Sequence, residues 1–83
     1  MIQVLYFAGL QEQIGHAAES LALPTTVTTL GQLREHLIAL GAGRECLANA
    51  RNLKVARNQE MAVLSDRCQD GDEIAFFPPV TGG

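Results

Sequence analysis

Thr29-Leu30-Gly31-Gln32-Leu33-Arg34-Glu35-His36-Leu37-Ile38-Ala39-Leu40-Gly41 is the stretch on which the fold turns. Leu30, Leu33, Leu37 and Leu40 recur at spacings of 3, 4 and 3, which sets four leucines in one stripe along an α-helix. Thr29 and Gln32 fit a capping box, in which the Thr hydroxyl accepts a free backbone N–H of the first turn and the Gln side chain accepts that of the cap. Gly41 offers a left-handed stop at the other end. A single apolar stripe needs a sheet to lie on. Burying each leucine contributes about 1.5 to 3 kcal/mol before the entropy of ordering is subtracted.

The flanking segments supply that sheet. Upstream, Ile2 to Ala8 is rich in β-branched, aromatic and aliphatic residues and has the length of a strand buried largely on both sides. Alternation sets Ile2, Val4 and Tyr6 on one face and Gln3, Leu5 and Phe7 on the other, so the second face also carries apolar groups and is a candidate docking surface. Gly9 to Gly15 reads as one short helical turn or loop, with Leu10 and Ile14 spaced i, i+4. Ala18 to Leu23 alternates again, and Pro24, which has no backbone donor, ends a second strand.

Downstream, Arg44 to Ala50 suits another helical turn, Leu53 to Asn58 a third strand, and Met61 to Leu64 a short fourth one after the turn-like Asn58-Gln59-Glu60. Asp70-Gly71-Asp72 is a turn before a last strand, Glu73 to Phe77, whose Ile74 and Phe76 point at the helix while Ala75 and Phe77 point away. The chain therefore reads as an α+β domain of the β-grasp (ubiquitin-like) type. It has a mixed sheet of four to five strands, one main helix across one face, and the first and last strands side by side in the middle.

Composition narrows the function. The 83 residues suffice for one domain, and 47% hydrophobic with 18% charged residues is a globular balance. A net charge of −3, with neither sign gathered into a block, argues against nucleic acid as a partner. No run approaches the roughly 20 apolar residues that span a bilayer, and Met-Ile-Gln-Val-Leu lacks the basic start of a signal peptide, so no membrane association and a cytoplasmic location are expected. Cys46 and Cys68 read as packing thiols, and His16 and His36 as isolated surface residues. Asp70, Asp72 and Glu73 read as turn residues rather than a cation site. No metal is expected, and the chain has no Ser/His/Asp set or glycine-rich phosphate loop.

After Phe77 comes Pro78-Pro79-Val80-Thr81-Gly82-Gly83. Two prolines cannot donate to a ladder, so the sheet ends there, giving a domain over 1–77 and a flexible tail over 78–83. Fully extended, the tail reaches about 20 Å. Gly82 and Gly83 have no side chains, so the carboxylate can pass down a narrow channel, although two glycines alone equally describe a frayed end.

The segment Asp70-Gly71-Asp72-Glu73-Ile74-Ala75-Phe76-Phe77-Pro78-Pro79-Val80-Thr81-Gly82-Gly83 closely resembles the close of the small, sulfur-carrying subunit of molybdopterin synthase. Val4-Leu5-Tyr6-Phe7-Ala8, Gln13-Ile14-Gly15 and Asn58-Gln59-Glu60 extend the likeness over the whole domain; 43–52 is the least distinctive part. The resemblance implies that Gly83 is the reactive residue, carried by Gly82, Thr81 and Val80. An adenylating enzyme would spend ATP on its carboxylate and a sulfur donor would convert it to a thiocarboxylate. This chain would then dock on a large subunit, which supplies the catalytic side chains, in a heterotetramer of two small and two large subunits. There the sulfur would pass to a cyclic pyranopterin during molybdenum cofactor biosynthesis. No cofactor is implied on this chain.

Phe7, Met61 and Phe77 match positions that look like interface positions in that family. Gln11 stands where a basic residue is expected, so no ionic contact is carried over to it. The competing readings are a sulfur carrier for thiamine synthesis or tRNA thiolation, and a ubiquitin-like binding module or protein modifier. Phe-Phe-Pro-Pro-Val-Thr favours the molybdopterin pathway.

Overall fold

The structure is a computed structural model and describes residues 1–49 and 53–78. Its elements are β1 (Ile2–Tyr6), α1 (Gly9–Ile14), β2 (Ala18–Leu21), α2 (Leu30–Leu40), α3 (Cys46–Asn49), β3 (Lys54–Arg57), β4 (Glu60–Ala62) and β5 (Glu73–Phe77). The strands form one sheet in the order β2-β1-β5-β3-β4. β1 and β5 run parallel and every other pair is antiparallel, so the sheet is mixed and its first and last strands are neighbours. This is the β-grasp arrangement expected from the order of the segments.

The inner face is the core. Ile2, Val4 and Tyr6 of β1 and Ile74 and Phe76 of β5 are buried beneath Leu30, Leu33 and Leu37 of α2. The capping box is present: Thr29 Oγ1 accepts the Gln32 N–H at 3.2 Å, and Gln32 Oε1 accepts the Thr29 N–H at 3.2 Å. Leu40 departs from the expected stripe and is 49% exposed. At about 100° per residue it lies within roughly 20° of the buried Leu33 around the helix, so its place in the last turn, not its side of the helix, leaves it in solvent. Gly41 stops the helix with a positive φ of 71°, but its ψ of −143° is not that of the left-handed cap.

Four strands differ in their bounds from the sequence reading, β3 only by losing one residue at each end (Lys54–Arg57). β1 stops at Tyr6 rather than Ala8 because Ala8, at φ 54°, swings the chain into α1; one more ladder bond follows, from Phe7 N–H to Phe76 O at 3.2 Å. β2 stops at Leu21, short of Pro24. β4 starts at Glu60 because Asn58 and Gln59 both take positive φ (52° and 70°), a two-residue turn whose twist matches that of the strands it joins.

Two tight places hold the loops. Asp72 is buried, and its carboxylate accepts Asn58 Nδ2 at 3.0 Å and the Gln69 N–H at 2.9 Å. Asn58 Oδ1 in turn accepts the Glu73 N–H at 2.9 Å, which ties the β3–β4 turn to the start of β5. Gly43, at φ 92°, lies so close to α1 that a Cβ there would meet Gln13 O at 2.4 Å. Among the described residues, no helix is long and apolar enough to cross a membrane.

Candidate functional site

The outer face of the sheet is built from the residues that alternation turns away from the helix. Leu5 of β1, Ala75 of β5, Ala56 of β3 and Met61 of β4 stand in one register row across four strands. The next row towards the end of β5 contains Phe7, Phe77 and Lys54. Two alanines between bulkier neighbours leave a low floor. Met61 is 64% exposed at one side of it and Phe7 48% exposed at the other.

Phe7 and Phe77 meet edge to face, with ring centroids 6.3 Å apart and an interplanar angle of 86°. This is a favoured aromatic geometry, and it holds both rings in place before any partner arrives. β5 ends on Phe77 and the chain passes into the half-buried Pro78 beside that pair. The three residues assigned to the interface therefore share one face, at the root of the tail. Val80, Thr81, Gly82 and Gly83 lie outside the described residues.

Val63, two positions after Met61, is also 60% exposed but lies past the end of β4. β4 ends before it because the Val63 N–H donates to Asp66 Oδ2 at 3.0 Å instead of to a strand.

A polar cluster closes another edge of the domain. Arg44 donates from Nε and Nη2 to the two oxygens of Glu19 at 2.9 and 2.7 Å, and from Nη1 to Gly41 O at 2.8 Å. Tyr6 donates its hydroxyl to Glu19 Oε2 at 2.5 Å. Arg44 holds the Glu19 carboxyl down at about 2. Burial, with Glu19 second, pushes the Tyr6 phenol well up. His16 is not isolated as expected: it is exposed, but its Nε2 lies 3.7 Å from Glu19 and its ring is edge-on to Tyr6. The cluster clamps β1 and β2 to the segment after α2. Cys46 and Cys68 are buried free thiols, both pushed up by burial. Among the described residues, no group of three or more His, Cys, Asp or Glu side chains is placed to hold a metal.

A family model described as the ThiS family matches residues 4–83. The molybdopterin synthase sulfur carrier subunit of Haemophilus influenzae is 41% identical over 83 residues, covering 100% of both chains. The crystal structure of SAMP1 from Haloferax volcanii superposes with a TM-score of 0.79 at 28% identity, over 99% of this chain and 98% of that one. The complex of subunits 1 and 2 of the molybdopterin-converting factor from Helicobacter pylori contains a chain that matches with a TM-score of 0.63 at 25% identity, over 99% of this chain and 97% of that one.

Proposed function

Because the chain belongs to the ThiS family and matches a molybdopterin synthase sulfur carrier over its whole length, we propose that it is the sulfur-carrier subunit of a molybdopterin synthase, with the carboxyl of Gly83 as the carrying group. The thiamine, tRNA and protein-modifier readings are not favoured. One observation carries the docking part of this reading: the last strand delivers the chain to Pro78 beside an exposed apolar patch of Phe7, Phe77 and Met61.

A C-terminal carboxyl ionises at about 3.5, so near neutral pH it is an anion that resists nucleophilic attack. Its oxygen must first attack the α-phosphorus of ATP on an adenylating enzyme, releasing pyrophosphate and leaving an acyl-adenylate. A sulfur donor then delivers sulfide-level sulfur to the carbonyl carbon: the C–S bond forms as AMP leaves, and the bond between that sulfur and its donor breaks, which frees the thiocarboxylate. The thiocarboxylate is a soft nucleophile at the tip of a slim arm. This chain supplies the arm and the docking face; the large subunit supplies the catalytic side chains and receives the tail, with two small and two large subunits in the assembly. The sulfur attacks a carbon of a cyclic pyranopterin and displaces an oxygen leaving group there; water then cleaves the resulting thioester, so the sulfur stays on the pterin and Gly83 returns as a carboxylate. ATP belongs to the adenylating partner, and this chain binds no cofactor of its own.

Intact-mass spectrometry tests the loading step. After incubation with ATP, the adenylating enzyme and a sulfur source, the chain should gain the mass of one oxygen-to-sulfur exchange, mapped to Gly83. No exchange with a competent enzyme would sink the carrier reading.

A further inference from the structure

The outer face carries a charge that the docking reading does not use. Lys54 is the only lysine in the sequence, and it stands exposed at the start of β3. It stands in the last row of the apolar face, beside the aromatic pair. Phe77 is its register partner on β5. Met61 stands diagonally across the same face. Among the described residues, no carboxylate pairs with its ammonium. The acid on the same face, Glu73, lies at the opposite end of β5, paired with Gln3 of β1.

A partner that covers Phe7, Phe77 and Met61 also lies over Lys54, which shares their face beside Phe77. An ammonium sealed under apolar surface loses its hydration, and that loss is offset only by a well-placed opposite charge. Glu73 is too far along the strand to supply it. Resting on the docking reading above, we propose that the large subunit presents an aspartate or glutamate side chain to Lys54, and that this ion pair sets the register in which the carrier seats.

The register matters because an apolar floor of alanines offers little resistance to sliding. The face is positive at the end where the tail leaves and negative at the other, so a complementary partner accepts it in one direction only. That direction sends the tail towards the large subunit. Lys54 is a specificity and positioning residue on this account; it does not touch the reacting sulfur.

A single lysine makes the test unusually clean. In the complex of the full chain with its large subunit, a carbodiimide should join Lys54 to one carboxylate of the partner, because that reagent links amines and acids only in direct contact. Lys54→Arg should keep the affinity and lose the cross-link. Lys54→Met, which keeps the apolar stem, should weaken binding roughly 10- to 100-fold and flatten its dependence on salt, since it strands the partner's acid. The pairing is overturned if Lys54→Met binds as tightly as the native chain, or if the cross-link forms only through the N-terminal amine; the ammonium would then reach solvent at the rim. A native chain that fails to bind the large subunit at all overturns the docking reading, and this pairing with it.

Discussion

Glu19 answers to two donors at once, and its chemistry follows. Its carboxyl sits at about 2 in the folded chain against an ordinary 4.5, so the unfolded chain binds more protons in that range and folding is favoured as pH rises. Stability from Glu19 is full above about pH 4.5 and is lost as pH falls towards 2. Urea unfolding across that window should show the slope, and Glu19→Gln should flatten it. At Gly43, alanine would need a positive φ and would drive a Cβ into the backbone of α1; we expect a loss of about 1 to 3 kcal/mol by chemical denaturation. Neither effect could be read from the sequence. Glu19 and Arg44 are 25 positions apart, and only the folded loops bring them together. At the docking face, Phe7→Ala should leave the melting temperature nearly unchanged, because Phe7 is half exposed, yet weaken binding to the large subunit, measured by calorimetry.

α2 was readable because its signals are local. A capping box needs only residues three apart, and a leucine stripe needs only the helical period. Where the stripe leaves the sheet is a tertiary matter, which is why Leu40 reads as core and stands in solvent. The two leucines should differ sharply: Leu37→Ala should cost about 2 to 5 kcal/mol, and Leu40→Ala within about 0.5 kcal/mol of nothing, by thermal or urea unfolding. The β3–β4 hairpin hid for another reason. Glutamine seldom takes positive φ, so Asn58-Gln59 reads as a looser turn, and only its bonds to Asp72 and Glu73 show why the tight form is held.

At the scale of the molecule, alternation in the first and last strands was enough to foresee an outer apolar face with Phe7 and Phe77; Met61 was added by the family resemblance, and the register sets it on the same face. Sequence alone did not put Lys54 there, since that depends on how β3 registers against β5. The tail's chemistry came from resemblance, not from physical pattern. Deleting Gly83 should abolish loading by intact mass while leaving the circular dichroism and unfolding midpoint unchanged. The parallel pairing of β1 with β5 has a further consequence, in time. Gln3 meets Glu73 at a sequence separation of 70 (73 − 3), and contacts so remote close slowly because the loop entropy must be met first. While the chain is being synthesised, β1 has no central neighbour until β5 has emerged, so the aromatic pair at the tail's root cannot assemble on a nascent fragment. Completion of the last strand and appearance of the docking face are one event, and a chain interrupted before it would offer its partner nothing to hold.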